Sequence, residues 1–219
     1  MRTHPVFLRL DGRRSVVLGG DAAAEQKAEA CLAALAVVTV IASEASPRLV
    51  DLAAAERLVW HRRAYRDGDL AGATVAYASE RDPTVIAAIR AEATREHVLL
   101  NVVDVPEACG FFAPAVVARG DLQIAIGTGG ASPGLAARLR RQLGASIGPE
   151  YGVYVSILGA VRATLPGGRR AEVMDQLLDS DLLALVRNAQ PEAIDALLTR
   201  IAGEHCTLGR LGVPLGGEG

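Results

Sequence analysis

The sequence predicts an α/β protein built on a parallel, doubly wound sheet. Short β-rich runs alternate with Ala-rich helical stretches from the start to about residue 103. Those runs are continuously apolar, as in strands covered on both faces. Half of the 219 residues are apolar and only 4% are aromatic, which suits helices packed on a sheet through Ala, Val and Leu.

Ser15–Val16–Val17–Leu18 reads as a buried strand that turns at Gly19–Gly20. Ala22 to Leu35 follows as a helix with Ala28, Cys31, Leu32 and Leu35 on one face. Val37 to Ala42 is a second strand, and Ser46–Pro47 opens another helix with Pro at its first position. Leu58 to His61, Thr74 to Ala78 and Val98 to Val103 supply further strands. Asp82–Pro83 opens the helix between the last two, which runs to about Glu96. Ligands of such sheets sit beyond the carboxyl ends of the strands. Gly19–Ala23, Ser43–Glu44, Ser79–Glu80 and Asn101–Asp104 therefore share one rim.

The rhythm changes after Pro106. Ala115 to Arg119 and Leu122 to Ile126 read as two strands of a hairpin through Gly120–Asp121. Ser132–Pro133 caps a helix, with Ser as N-cap and Pro at its first position. It carries Arg138, Arg140 and Arg141, read mainly as a solvated face. Val153, Ile157 and Val161, with Tyr154 and Leu158, mark an amphipathic helix. After the Pro166–Gly167–Gly168 break, helical patterns run Ala171–Val186 and Pro191–Ala202, and the Gly-rich end after Leu208 is expected to fray.

A net charge of −2 offers no basic field for nucleic acid or an anionic membrane, so neither is expected as a partner. The opening residues lack the apolar run of a signal peptide, and no stretch has the length of a membrane span. Cys31, Cys109 and Cys206 lie far apart, which reads as reduced thiols in a cytoplasmic protein. His4, His61, His97 and His205 show no metal-ligand spacing, so no resident metal is expected.

Two places carry candidate chemistry on the rim. Gly19–Gly20–Asp21–Ala22–Ala23–Ala24 stands where a GxGxxG/A phosphate turn belongs, with Asp21 at the central glycine. A carboxylate about 4 Å from a phosphate is disfavoured by about 4 kcal/mol at a surface-like dielectric. The turn is thus either a dinucleotide site handicapped by Asp21 or a purely structural strand-to-helix turn. Glu44 is the nearest carboxylate to the usual ribose position. Asp104 ends a strand at the rim, where a carboxylate can be tuned as a base; the alternative is a turn aspartate ahead of Pro106. Thr128–Gly129–Gly130–Ala131–Ser132–Pro133 leads into a helix N-terminus, a seat for anions or an ordinary connection.

Three blocks, PVFLRLDGRRSVVLGG, NVVDVPEACGFFAPAVVARGDLQIAIGTGGASPGLAARLR and RRAEVMDQLLDSDLLALV, together resemble the N-terminal module of siroheme synthase, the precorrin-2 dehydrogenase/sirohydrochlorin ferrochelatase family. The resemblance implies a Rossmann-type parallel sheet over 1–112, a dimerisation region over 113–148, a small helical domain over 149–206 and a flexible tail over 207–219. It implies a homodimer, and a tetrapyrrole held between domains. NAD is implied on Gly19, Gly20, Asp21, Ala22, Ala23, Ser43, Glu44, Ser79 and Glu80. The NVVD motif places the essential carboxylate on Asp104. The substrate side takes Asn101, Phe111, Pro114, Arg119, Thr128, Gly129, Gly130 and Ser132, with Arg119 and the Thr128–Ser132 loop as anchors for tetrapyrrole carboxylates.

The chain departs from the family's pattern on the dinucleotide side. Asp21 and Ala23 replace a glycine and a valine, Ser79–Glu80–Arg81–Asp82 replaces Ala-Thr-Asp-Asp, and Ile86 replaces an asparagine. The implied activity is oxidation of precorrin-2 to sirohydrochlorin by NAD, insertion of Fe²⁺ as substrate, or both, with a uroporphyrinogen methyltransferase upstream. The alternatives are a chelatase without the dinucleotide, or a non-catalytic tetrapyrrole-binding protein with a degenerate NAD site.

Overall fold

The computed structural model describes residues 3–215, and the chain divides into two compact units after Ala113. In the first unit, β1 (Arg14–Leu18), β2 (Val37–Ile41), β3 (Val59–His61), β4 (Val75–Ala78) and β5 (Leu99–Val102) form one sheet in the order β3-β2-β1-β4-β5. Every pairing is parallel, as the continuous apolar runs predict. The register aligns Leu18 with Ile41 on one side and Ala78 on the other, and Ala78 with Val102. The strands therefore end level, and the residues that follow them form a single rim. The order reverses direction between β1 and β4, the crevice where ligands of such sheets bind.

Helices α1 (Ala22–Ala33), α2 (Pro47–Ala54) and α3 (Pro83–Arg95) connect the strands. Val17, Val38 and Val40 bury one face of the sheet with Ala24, Ala28, Cys31, Leu49 and Leu52. Val16, Leu18, Ala76 and Leu100 bury the other with Ile89 and Ala93. Asp21, Ser46 and Asp82 each accept a backbone amide at the start of a helix, and Pro stands in the first turn after Ser46 and Asp82. Leu35 departs from the sequence reading. Helix α1 stops at Ala33, and Leu35 takes φ 58° and is 73% exposed, so the chain reverses there and the apolar face ends at Leu32.

The second unit begins with the hairpin β6 (Ala115–Arg119) and β7 (Leu122–Ile126), antiparallel with Arg119 opposite Leu122. Gly120 supplies the positive φ, +55°, that the tight turn needs. The helices are α4 (Pro133–Ser146), α5 (Glu150–Thr164), α6 (Gly167–Leu178), α7 (Leu182–Arg187), α8 (Pro191–Ala202) and α9 (Leu208–Leu211). Tyr154, Ile157 and Val161 of α5 pack with Val173, Leu177, Leu182, Ile194 and Leu198 in one core.

Three expectations change in this unit. The single helix read over Ala171–Val186 is two helices. Ser180 donates its hydroxyl to the Leu177 carbonyl and accepts the Leu182 amide, so a side chain replaces helical hydrogen bonds at the break. Gly167 and Gly168 open α6 behind Pro166 instead of forming a loop. The tail expected to fray from 207 contains α9: Asp195 accepts the Leu208 amide at 2.7 Å, and Leu208 is buried. Residues 216–219 of that expectation lie outside the described residues.

Candidate functional site

The rim is built around the turn that follows β1. Gly19 takes φ +120°, a conformation L side chains rarely adopt, and a Cβ there would lie 3.0 Å from Ser79 Cβ. At Gly20 a Cβ would collide with the Glu44 carbonyl oxygen and stand 2.8 Å from Ala45 Cα. The Ser46 amide donates to the Gly20 carbonyl at 2.8 Å. The turns after β1, β2 and β4 thus meet with no room for a side chain between them.

Asp21 is the N-cap of α1. One carboxylate oxygen accepts the Ala24 amide at 2.9 Å, and the other accepts the Ser79 hydroxyl at 2.6 Å. The Ser79 hydrogen bond, followed by those from the Ala24 and Ala23 amides, holds the Asp21 carboxyl below the usual carboxylate range against partial desolvation. Its negative charge stands on the free amides and partial positive charge of the α1 N-terminus.

Two cavities open on this rim. One of 430 Å³ is lined by Gly19, Gly20, Ser43, Glu44, Tyr65 and Glu80 with residues of α3. Another of 320 Å³ is lined by Asp21, Ala23, Ser79, Glu80, Arg81, Val103, Asp104 and Val105. The structure therefore gathers eight of the nine residues read as dinucleotide-side onto these walls, with Ala22 at the first position of α1 beside them. Glu80 borders both cavities, with its carboxylate turned onto the Arg81 and Asp82 amides at 2.7 and 3.0 Å. Ile86 packs against the sheet core.

A dinucleotide fits this donor set. The larger cavity has the size of a small-ligand site, and the glycine turn lets backbone approach a phosphate. The first-turn amides of α1 are the natural phosphate donors. Asp21 occupies amides of this turn, and its side chain is exposed at the rim.

Asp104 stands two residues beyond β5, exposed, with φ +60°. A left-handed conformation is uncommon outside glycine, though Asp tolerates it. The turn is held from beneath by Cys109. Its sulfur accepts the Val102 amide at 3.2 Å and lies 3.3 Å from the Val102 and Val105 carbonyls as donor. Burial pushes the Cys109 thiol pKa up, so it remains a neutral donor. Asn101 is buried and donates its side-chain amide to the Phe111 carbonyl at 3.0 Å. The Phe111 ring meets Tyr77 edge-on at 5.4 Å. Cys109 carried no functional reading in the sequence, and nothing in its spacing points to this contact.

Tyr65, Ala64 and Thr84 also line the larger cavity without having been singled out. Tyr65 is held by Glu92, a fully buried carboxylate of α3 that accepts its hydroxyl and the Gly68 and Leu70 amides at 3.0 and 2.8 Å. The signal was present: Ile89, Glu92 and Ala93 share the inward face of the helix by spacing.

In the second unit, Arg119, read as an anchor for carboxylates, lays its guanidinium on backbone carbonyls. Its Nε, Nη1 and Nη2 donate to the Ile147, Ala118 and Gly144 carbonyls at 2.9, 2.8 and 2.8 Å. Two of these are carbonyls at the C-terminal end of α4, where an Arg is favoured by unpaired acceptors and the helix dipole. Thr128 Oγ1 accepts the Ser132 amide at 3.1 Å, and Ser132 Oγ accepts the Leu135 amide at 3.2 Å. Gly129 and Gly130 take φ +60° and +83°, and Pro114 is exposed just ahead of β6. Arg138, Arg140 and Arg141 are exposed. Among the described residues, no group of three or more His, Cys, Asp or Glu is placed to hold a metal ion, and no helix is long and apolar enough to cross a membrane.

Comparison with known proteins places both segments. A family model described as putative NAD(P)-binding matches residues 6–115, and one described as sirohaem biosynthesis protein central matches residues 119–146. Siroheme synthase 3 of Aeromonas hydrophila is 32% identical over 196 residues, which is 86% of this chain and 42% of that protein. Siroheme synthase of Chromobacterium violaceum is 34% identical over 201 residues, 90% of this chain and 43% of that protein. The chain thus spans about two fifths of the length of these relatives. A solved structure of SirC, precorrin-2 dehydrogenase, shares the fold with a TM-score of 0.74 at 24% identity, covering 91% of this chain and 98% of its own. With the glycine turn, the level strand ends and the central segment all in place, the chain belongs to the putative NAD(P)-binding family in the form that makes up the N-terminal module of siroheme synthases.

Proposed function

We propose that this chain is an enzyme of siroheme biosynthesis that oxidises precorrin-2 to sirohydrochlorin, with Asp104 as its proton acceptor. The observation that carries this reading is the position of Asp104. It projects from the end of β5 in a constrained left-handed turn, on the wall of a cavity that also includes the α1 N-terminus. NAD⁺ would be held by Gly19, Gly20 and Ala23, with Ser43 and Glu44 beside its nucleoside half, and it supplies a two-electron hydride acceptor when bound.

Loss of a hydride and a proton from precorrin-2 balances the oxidation. Asp104 takes the proton on a carboxylate oxygen, and Cys109 braces the backbone turn that carries it. The same carboxylate is suited to accept pyrrole N–H protons when Fe²⁺ enters as a substrate. The tetrapyrrole carboxylates would be met by the Thr128–Ser132 loop. The reading carries with it a cytoplasmic homodimer, residues 113–148 as its contact region, and a uroporphyrinogen methyltransferase as the source of precorrin-2.

The test is anaerobic turnover of precorrin-2 with NAD⁺, followed by sirohydrochlorin absorbance. Wild type should exceed the buffer rate, and Asp104→Ala should lower kcat by roughly a hundredfold or more. Wild-type turnover no faster than buffer overturns the oxidation. A second reading, Fe²⁺ insertion without a dinucleotide, is favoured by the Asp21 carboxylate on the α1 amides. It predicts metal-dependent spectral change with sirohydrochlorin in protein that binds no NAD⁺.

A further inference from the structure

Asp21 and Ser79 lie 58 residues apart, yet their side chains meet across the point where the sheet reverses its order. Leu18 and Ala78 are register partners at the ends of β1 and β4, and Gly19 and Ser79 follow them directly. The hydrogen bond from Ser79 to Asp21 therefore joins the two turns that flank the switch-point crevice. We infer that Asp21 and Ser79 form a latch over this crevice, which the diphosphate of a dinucleotide has to open, so that Asp21 sets the affinity for the whole cofactor. The inference rests on the nucleotide reading above.

The geometry of the carboxylate is that of a stand-in for a phosphate. One oxygen holds an amide at a helix N-terminus and the other holds a hydroxyl, donors that suit a phosphate equally well. A diphosphate lying on the glycine turn needs both donors and meets the Asp21 charge at close range. Asp21 opposes it twice, by occupying the donors and by like-charge repulsion. The other charged groups on this cavity wall do not compensate. Glu80 and Asp104 add negative charge, and among the described residues Arg81 is the one cation lining it. Asp21 and Ser79 do not line the 430 Å³ cavity, which reaches this rim at Gly20 and Glu80. A nucleoside without phosphates therefore has no reason to disturb the latch.

Calorimetric titration of the full chain with NAD⁺ and, separately, with adenosine tests this, using wild type, Asp21→Asn and Asp21→Gly. Asn keeps the helix cap and Gly is itself tolerated as an N-cap, so both variants should fold. Asp21→Gly should bind NAD⁺ roughly tenfold to a hundredfold more tightly than wild type, the range of a charge-assisted hydrogen bond. Asp21→Asn should fall between them, and adenosine affinity should stay within about twofold throughout. Equal NAD⁺ affinity in wild type and Asp21→Gly overturns the latch while leaving the nucleotide reading intact. A parallel gain for adenosine also overturns the latch, because the effect would not belong to the diphosphate. Failure of every variant to bind NAD⁺ overturns the nucleotide reading and the latch together.

Discussion

Glu92 accepts the Tyr65 hydroxyl from a fully buried position on α3, and the same carboxylate takes the Gly68 and Leu70 amides. The segment between β3 and β4 has no strand pairing of its own to hold it. It is fastened instead by this carboxylate and by Arg63, whose two guanidinium nitrogens meet Asp69 at 2.7 and 2.6 Å. Glu92→Ala leaves the Tyr65 hydroxyl and the Gly68 and Leu70 amides without their acceptor and should destabilise the protein by about 3 kcal/mol in urea unfolding. A loss below about 0.5 kcal/mol would mean that the segment finds other partners.

The same contact predicts an alkaline limit. Burial, then the Glu92 hydrogen bond, raises the Tyr65 pKa well above its ordinary 10.0. The folded state thus holds the phenol proton more tightly than the unfolded state. The stability this contributes is complete below about pH 10 and is lost as pH rises above it. Thermal melting should fall steeply above about pH 10 in wild type and less steeply in Tyr65→Phe, which starts from a lower plateau. Parallel curves for the two would remove Tyr65 as the source.

Gly20 is fixed by contact, not by φ. A methyl group there collides with the Glu44 carbonyl and crowds Ala45 Cα, both backbone atoms that no rotamer change relieves. Gly20→Ala should cost about 2 kcal/mol or more and push the turn after β2 outward. Proteolytic cleavage near Ser43–Ser46 should become faster in the variant. An unchanged melting temperature would contradict this packing.

Arg119 is a latch on the end of α4, so its loss should register in stability before it registers in substrate affinity. Arg119→Ala should destabilise the second unit by about 1–2 kcal/mol, and Arg119→Lys should recover little, because a single ammonium cannot reproduce the fork. KM for the proposed tetrapyrrole substrate should change by less than about threefold. A large KM increase at unchanged stability would instead make Arg119 a substrate anchor.

What could be read from the sequence was whatever depends on local pattern. The five apolar runs, the N-caps Ser46, Asp82 and Ser132, the Gly120 turn and the inward face of α5 all follow from periodicity or capping chemistry within a few residues. The rim followed as well, since a parallel sheet places all its carboxyl ends together. Where local signals conflicted, the reading slipped. Leu35 looked like one more apolar helix position, and the Asp179–Ser180–Asp181 break was hidden inside an otherwise helical pattern.

The sequence by itself determined the parallel α/β architecture, the placement of Asp104 at a strand end and the presence of an aspartate in the glycine turn. Only the tertiary structure decided what those groups touch. Asp21 finds Ser79, Glu92 finds Tyr65, and Arg119 finds the end of α4, each across more than twenty residues of chain. Hydrophobic burial is set by composition and period, which a linear pattern records. The partner of a polar side chain is set by which donors and acceptors the finished fold leaves unpaired beside it.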